Sequence, residues 1–453
     1  MPPESVTVVD KTDRRDVLAQ WLRRGYRFVQ TEITRESLHA VLPPLLHPGD
    51  LLINLCPGIN QFEVLRTATE CGAMCIDTAP EPWQEGYVEV PLWMRSCYDM
   101  LFALRENVKR LSSGGPTSVV YHGANPGIVS HFVKAGLLDV ARFMDLEVDC
   151  PTNKAEWASL ALRTGTKVIH ISERDSQVSS IPRQIGEFPC TWCPDDMIAE
   201  SLFLPAEIAW GTHERHTPAA STMVNYGPGN VLRIEKPGGL TLVRSWVPSG
   251  PSWSHLTAHS ECMTIADMLS IYDSETSIPG DAGARFRAGR ATYRPTCHYA
   301  YSPPPDSIVA LREMSARNLE WPKIRLMQQD NVAGMDELGV LLMGHGANAW
   351  WYGSRLDVHT ARQVVEGQSP TPMQVVGGLL GAALWAVRNP RRGVCEPEDL
   401  PHAEILRTAR PYLEPIVSMQ TSWNPVMGRK DMGFQSTPID HSDLWQFSNF
   451  LVA

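Results

Sequence analysis

Several short segments of the chain place carboxylates, aromatic rings and small residues together where predicted strands end. Glu81, Glu173 and Glu200 supply carboxylates, Trp192 supplies a ring, and His259 titrates near neutral pH. A buried ammonium needs carboxylates around it, because burying an unpaired charge is costly. An aromatic face stabilises a cation by about 0.5 to 2 kcal/mol. These residue types therefore predict a pocket for a small, positively charged amine.

Each of these residues also has an ordinary structural explanation when it is taken alone. Glu173 could pair with Arg174 on a surface, and Trp192 could belong to the core. His259 could be a polar residue whose hydrogen bonds are simply satisfied. The amine-pocket hypothesis therefore depends on whether the fold brings these segments together.

The elements that must position these residues begin with alternating strand and helix patterns. Apolar and β-branched runs predict strands over residues 6–9, 26–29, 51–55, 73–76 and 118–121. Helical spacing predicts helices over residues 17–22, 36–46, 62–69 and 95–111. This order predicts an α/β fold with a doubly wound parallel sheet that binds ligands at the carboxyl ends of its strands. From about residue 145, longer mixed segments rich in tryptophan and proline predict a second, α+β domain.

A dinucleotide-binding sheet normally opens with a strand, a G-x-G-x-x-G turn and a helix, whose backbone amides hold the pyrophosphate. Here the first strand pattern ends at Asp10, where such proteins bind the adenosine ribose from their second strand. The sheet is therefore predicted to be an incomplete Rossmann-like one that lacks its first β-α unit. The nearest glycine motif elsewhere, residues 344–349, lies far downstream and is expected to form a turn.

Composition narrows the possible partners and the compartment. The formal net charge of -10 argues against a nucleic-acid partner. The chain start shows no signal sequence, and the longest apolar run, residues 375–387, is shorter than the roughly 20 residues of a membrane span. We therefore expect a cytoplasmic protein with no membrane partner and with ten reduced cysteines. Cys190 and Cys193 form a lone C-x-x-C, and no metal site is expected because a zinc site needs further ligands.

Longer motifs in a fixed order carry a family resemblance. They are the stretches GANPG, ERDSQ, PAEIAWGT, YRPTCHYAY, DELGVLLMGHG and the terminal WQF. With these motifs the chain resembles bacterial homospermidine synthases, relatives of the saccharopine dehydrogenases, from about residue 6 to its C-terminus. The resemblance implies a homodimeric enzyme that binds NAD and converts two putrescine molecules into homospermidine and ammonia. One diamine is oxidised to an imine, the second adds, ammonia leaves, and the same cofactor reduces the new imine.

The resemblance also implies domains and roles for particular residues. The domains are residues 1–144 (Rossmann-like), 145–420 (substrate binding and dimerisation) and 421–453 (a C-terminal segment). The implied catalytic residues are His259, Asn125, Glu200 and Trp192. The implied substrate-binding residues are Glu81, Glu173, Glu200, Trp192 and Asp336. The implied cofactor-binding residues are Asp10, Asn54, Asp77, Thr78, Asn125 and Pro126.

The chain departs from the family pattern mainly on the cofactor side. The glycine-rich turn is absent, Gly58 stands where the family has an aspartate, and His122 replaces a small residue or cysteine. Residues 273–290 form an insertion that we expect to be a mobile surface loop. Two explanations compete: the protein starts further upstream, or it has lost the first β-α unit and ordinary NAD binding. The change at residues 56–61 favours the second, which leaves two alternative functions: another amine condensation or hydrolysis, or polyamine binding without catalysis.

Overall fold

The computed structural model describes residues 2–83, 95–111, 114–224, 226–227, 230–273, 290–429 and 438–452. The loop expected around residues 273–290 therefore lies almost wholly outside the described residues. Short strands and helices alternate in the first part of the chain: β1 (Thr7–Asp10), α1 (Ala19–Leu22), β2 (Arg27–Gln30), α2 (Leu38–Val41), β3 (Leu51–Asn54), α3 (Gln61–Glu70), β4 (Met74–Asp77), α4 (Cys97–Val108) and β5 (Ser118–Val119).

Several of these elements are shorter than predicted, and for two of them the reason lies in the backbone. The helix predicted over residues 36–46 ends at Val41, and a 3-10 turn, Pro43–Leu45, follows because its two prolines lack the N–H groups a helix needs. Strand β5 stops at Val119 because Tyr121 has a φ of +40°, which takes the chain out of the extended conformation. All five predicted strands are otherwise present.

The strands of this first part are parallel, as predicted. Strand β1 pairs with β2, and β3, β4 and β5 pair in order. The two groups form separate sheets, and no ladder joins β1 to β3 among the described residues. Apolar side chains of β1 and α1, among them Val8 and Trp21, line a cavity of about 310 Å³. Apolar side chains of β1 and α1 are therefore incompletely packed around this cavity.

The second part is larger and mixes helices with a broad sheet. Its elements are α5 (Ile128–Phe143), α6 (Lys154–Thr164), β6 (Val168–Asp175), β7 (Val178–Ser179), β8 (Glu187–Cys190), α7 (Pro194–Ile198), β9 (Pro205–Ala209), β10 (Ser221–Val224), β11 (Val231–Pro237), β12 (Leu242–Val247), β13 (Gly250–His255), α8 (Ser260–Met268), β14 (Ile271–Tyr272), β15 (Ala291–Tyr293), β16 (Thr296–Ser302), α9 (Pro305–Ala316), β17 (Lys323–Leu326), β18 (Asn331–Ala333), β19 (Met335–His345), β20 (Asn348–Asp357), α10 (Val358–Val364), α11 (Pro370–Arg388), β21 (Val394–Cys395), α12 (His402–Ala409), β22 (Ile416–Thr421) and α13 (Phe447–Phe450).

Ten of these strands form one sheet, whose main path runs β10-β11-β9-β16-β6-β19-β20-β22. Strand β6 lies at its centre, parallel to β16 on one side and antiparallel to β19 on the other. The predicted turn at residues 344–349 joins β19 to β20. A mixed sheet of this kind agrees with the predicted α+β domain.

Two elements of the second part return to the first sheet. Strand β21 extends that sheet by pairing parallel to β5, and helix α11 packs on β4 and β5. Helix α11 is the single helix in the described part of the chain that is long and apolar enough to cross a membrane, yet 67% of its most apolar 18-residue window is buried inside the protein. It is therefore a core helix, as predicted. The predicted domain bounds stay a prediction.

Candidate active site

Neighbouring strands β6 and β16 place one carboxylate beside two tyrosine rings. Residues two apart on a strand point to the same face, so Tyr299 and Tyr301 lie side by side, with ring centroids 5.3 Å apart and planes at 7°. The hydroxyl of Tyr299 donates to Glu173 Oε2 at 2.6 Å. Trp192, after β8, donates from its indole Nε1 to the hydroxyl of Tyr301 at 3.2 Å. The result is an aromatic wall next to a buried carboxylate.

The loop between β5 and α5 brings an amide to the same carboxylate. Asn125 Nδ2 donates to Glu173 Oε2 at 3.0 Å. This loop turns back on itself, and Gly127 has a φ of +126° at a place where a Cβ would lie 2.4 Å from the carbonyl oxygen of Gly123. Only glycine fits a backbone that approaches itself so closely. The tight turn therefore fixes where the Asn125 amide points.

His259 lies between two carboxylates at the start of α8. Its Nε2 is 2.9 Å from Glu200 Oε2, and its Nδ1 is 3.1 Å from Glu261 Oε1. Glu200 projects from a π-helical turn, Ala199–Phe203, directly after α7; such turns are frequent at functional sites. Burial lowers the pKa of His259, but the Glu261 and Glu200 carboxylates outweigh it and hold that pKa well above its usual value. His259 is therefore an imidazolium at neutral pH, and its ring packs 4.4 Å from that of Tyr299.

The site carries far more acidic groups than basic ones. Seven carboxyl groups gather around it: Glu81, Glu173, Asp175, Asp196, Glu200, Glu261 and Asp336. Within the described residues none of the seven pairs with a lysine or arginine, and His259 is their one cationic contact. The site is therefore built to receive positive charge from outside.

Burial and mutual repulsion keep several of these groups partly protonated. Burial raises the pKa of Glu81 to about 8, with further contributions from Asp196 and Glu200. Burial, with Asp175 nearby, raises the pKa of Glu173 to about 7. Burial and Glu200 raise the pKa of Asp196 to about 6. An entering ammonium would stabilise the ionised forms, so these carboxyl groups are suited to exchange protons with an amine near neutral pH.

The predicted cofactor residues lie along the carboxyl ends of β1, β3, β4 and β5. Asp10 is half-exposed and accepts from Arg14 Nε at 3.0 Å, and Asn54 Oδ1 accepts from the backbone N–H of Cys56 at 3.2 Å. Asp10 also acts electrostatically on Cys56, so the ends of β1 and β3 are close. Thr78 follows β4 and lies beside Gly123.

Asp77 stands apart from the other predicted cofactor residues because its side chain points into the protein. It is 2% exposed and accepts hydrogen bonds from the Gln61 side chain and the backbone N–H of Tyr121. Burial raises its pKa to about 7. In this position it fixes the start of the Asn125 loop, and direct contact with a cofactor stays a prediction.

The structure thus brings together most of the predicted residues. Asn125, Glu173, Glu200, His259 and Trp192 share contacts or common neighbours, and Glu81 joins them through its electrostatic coupling to Glu200. Asp336 is fully buried behind Glu173. Trp192 lies inside the lone C-x-x-C. The segment is anchored on the core side by Cys190, whose Sγ lies 3.3 Å from Met197 Sδ. No group of three metal-ligating side chains occurs among the described residues.

Sequence reasoning did not assign five residues of this site. They are Asp175, Glu261, Tyr299, Tyr301 and Asp196. A signal for the tyrosines was their spacing of two in a strand pattern after Pro295, which puts both on one face. Glu261 lies in a stretch already singled out for His259, two residues further along the chain. Asp196 carries no such signal, because only the fold brings it near Glu81.

Comparison with protein families gives two matches that together span most of the chain. The Saccharopine dehydrogenase NADP binding domain matches residues 2–119. The Saccharopine dehydrogenase C-terminal domain matches residues 123–420.

Individual proteins match over nearly the whole length. The homospermidine synthase of Blastochloris viridis is 38% identical over 99% of this chain and 91% of its own. That of Mesorhizobium japonicum is 36% identical over 99% of this chain and 90% of its own. The crystal structure of the Legionella pneumophila homospermidine synthase, in complex with NAD, superposes with a TM-score of 0.89 at 35% identity, covering 100% of this chain and 93% of that one.

Proposed function

Because the chain belongs to the homospermidine synthase family, we propose that it joins two molecules of putrescine, or of a related diamine, into a triamine. The observation that carries this proposal is the charge of the site. Seven carboxyl groups face a single imidazolium within the described residues, and an aromatic wall stands beside them. Only a ligand with several positive charges balances such a pocket.

The proposed reaction conserves atoms and electrons without net redox. An amine-bearing carbon of the first diamine gives up a hydride while its nitrogen gives up a proton, which leaves an imine. The amine of the second diamine adds to that carbon, and ammonia leaves as the new secondary imine forms. A hydride returned to the same carbon and a proton returned to its nitrogen give the triamine, so that two diamines yield one triamine and one ammonia.

The chain's own residues supply binding, orientation and proton transfer. Glu173 lies against the aromatic wall, where its carboxylate can hold one ammonium while Asn125 and Tyr299 fix its orientation. Glu200, oriented by the charged His259, and Glu81 can hold the second amine. Trp192 offers its face to the iminium, which has the same charge as an ammonium. Carboxyl groups with pKa values near 7 can take a proton from an ammonium and return it to the departing nitrogen.

NAD is the cofactor that the site and the family favour. Asp10 offers an accessible carboxylate at a strand end, which suits ribose hydroxyls, and Asn125 offers an amide beside Glu173. When bound there, NAD would accept and return the hydride. The alternative, a chain that has lost ordinary NAD binding, loses support because the family model for the NADP binding domain matches residues 2–119.

We also propose that the protein is a homodimer formed through its second domain. Six apolar side chains near β7, β17, β18 and α10 are each 38–49% exposed: Val178, Ile181, Leu326, Val332, Val364 and Val365. Strands β7 and β18 pair, and Arg325 and Arg362 tie the neighbouring segments to them. Several large apolar side chains exposed on neighbouring elements are typical of an interface. A cytoplasmic location stays a prediction.

Product formation by the purified protein tests the proposed function. The protein is incubated with putrescine and NAD, and the products are separated by mass. We expect homospermidine from the wild type and roughly 10- to 150-fold less from Glu200→Gln, because a charge-assisted hydrogen bond contributes roughly 1.5–3 kcal/mol. Glu214→Gln is the matched control, since Glu214 is also buried but binds Thr296 and Phe447 away from the site. Equal activity in Glu200→Gln and the wild type would contradict the proposal.

A further inference from the structure

Three carboxyl groups lie together behind the aromatic wall, on adjacent strands of the central sheet. Glu173 and Asp175 point to the same face of β6, and Asp336 on β19 pairs directly across from Asp175. Their exposed fractions are 4%, 2% and 0%. Of the three, only Glu173 also contacts Asn125 and the aromatic wall. Asp175 and Asp336 are therefore a buried layer behind a carboxylate of the substrate pocket.

Two of these groups are placed to share a proton. Asp336 pairs with Asp175 and so lies diagonally across from Glu173, whose carboxyl group is near enough to raise the pKa of Asp336. Two ionised carboxylates are both acceptors and repel each other, so a hydrogen bond between this pair forms only when one of them carries a proton. Oδ2 of Asp336 accepts a short bond from Thr371 at 2.5 Å, whereas its buried Oδ1 has no hydrogen-bond partner in the described part of the chain.

Among the residues that the structure describes, no lysine or arginine balances this layer. The titratable groups in contact with Asp336 or close to it are Glu173, Asp175, His259, Tyr299, Tyr301 and Cys190. Of these only His259 is cationic, and it is already bonded to Glu200 and Glu261. The neutral partners of Asp175, which are Thr191 and Gln177, donate hydrogen bonds but bring no charge. A shared proton is therefore what lets these carboxyl groups stay buried next to each other.

We propose that Asp336 is a positioning residue that shares one proton with Glu173 in the empty pocket and that this proton leaves to solvent when an ammonium binds. The inference rests on the proposed function for the identity of the ammonium. Binding then converts a neutral-plus-charged pair into two carboxylates facing one cation. The doubly ionised pair is ready to take the proton that the bound ammonium must lose before its carbon can give up a hydride. Burial, with Glu173 and Asp175 close by, holds the pKa of Asp336 well above its usual value, which agrees with this role.

Proton release on binding tests the proposal. Putrescine is titrated into the wild type by calorimetry at one pH in two buffers of different ionisation enthalpy, and the difference gives the number of protons released. The asparagine of Asp336→Asn keeps a donor to Glu173 and cannot titrate, so we expect release to fall by about one proton per diamine. Glu214→Gln should leave release unchanged, although burial raises the pKa of Glu214 to about 7 as well. Equal release in Asp336→Asn and the wild type would overturn the proposal.

A second measurement needs no amine and so separates this inference from the proposed function. The infrared carbonyl band of protonated carboxylic acids is recorded for the ligand-free protein at pH 8, where exposed carboxyl groups are ionised. Subtracting the Asp336→Asn spectrum from that of the wild type should leave one such band. Absence of that band would refute the shared proton even if putrescine binds. If the band is present but putrescine releases no heat, the proton-sharing pair stands and the proposed substrate fails.

Discussion

The charge on His259 is the feature of the site whose removal gives the most specific prediction. Glu261 is fully buried and touches His259 Nδ1 with both oxygens, at 3.1 and 3.2 Å. In Glu261→Gln one of the two carboxylates that stabilise the imidazolium becomes a neutral amide of the same shape. The other, Glu200, remains at 2.9 Å from Nε2.

The size of the effect follows from the loss of one buried charge-assisted hydrogen bond. Such a bond contributes roughly 1.5–3 kcal/mol, and 1.36 kcal/mol corresponds to one pKa unit, so the pKa of His259 should fall by about 1 to 2 units. The folded-state pKa is raised above the unfolded value of about 6.5. The stabilisation from this charge is therefore complete below about pH 6.5 and is lost as the pH rises through the folded pKa. Glu261→Gln should lower the free energy of unfolding by roughly 1.5–3 kcal/mol at pH 6, and the difference should narrow at alkaline pH.

Ring carbon signals of labelled histidine measure this pKa directly. The chain has 14 histidines, and the signal that disappears in His259→Gln identifies the right one. Glu214→Gln is a matched control because it removes a carboxylate 3.4 Å from another ring, that of His213. That variant should leave the His259 titration unchanged. A wild-type His259 that titrates near 6.5, or a pKa that does not move in Glu261→Gln, would refute the reasoning.

Three further predictions concern the wall, the loop and the dimer. Trp192→Leu should lower kcat by about 2-fold to 30-fold, which corresponds to the 0.5–2 kcal/mol of a cation–π contact. Trp192→Phe keeps an aromatic ring and should lose less activity. Equal kcat values in the wild type and Trp192→Leu would argue against a ring that faces the cation. Gly127→Ala should cost about 1–3 kcal/mol from its positive φ plus the clash with Gly123, measured as a fall in Tm with loss of activity. Gly49→Ala is the control: Gly49 has a φ of +91° but no atom within 4 Å of an added Cβ, so this variant should keep its activity. If both variants lost activity equally, the loss in Gly127→Ala could not be attributed to the Asn125 loop. Val332→Asp should convert the dimer to a monomer in light scattering, and a monomeric wild type would contradict the interface.

Local patterns predicted most of the first sheet because its elements are set by short-range periodicity. The strands predicted over residues 51–55 and 73–76 match β3 and β4 to within one residue at each end. The alternation of strands and helices made their parallel pairing predictable. The separation of β1 and β2 from β3, β4 and β5 could be anticipated from the absence of a glycine-rich β-α unit. The return of β21 and α11 to this sheet could not, since nothing local in residues 370–395 records a partner more than 250 residues away.

The site could be predicted in its chemistry but not in its arrangement. Carboxylates and a tryptophan near strand ends indicated an amine pocket, and the motifs of the family assigned their roles. The charge state of His259 depends on Glu200, 59 residues away, and on how deeply the fold buries Glu261. The shared proton of Asp336 likewise depends on a cross-strand register that only tertiary structure sets. The protonation states of His259 and Asp336 therefore depend on burial and on long-range pairing, which residue types alone do not reveal.

The proposed reaction in this carboxylate pocket removes a hydride from a diamine and then returns it to the same carbon. The most direct measurement uses putrescine fully deuterated at both amine-bearing carbons, incubated with the purified protein and NAD. We expect homospermidine that retains all of its deuterium, with no accumulation of reduced cofactor. Homospermidine with hydrogen at the joined carbon, or no homospermidine from a protein that binds putrescine and NAD, would contradict it.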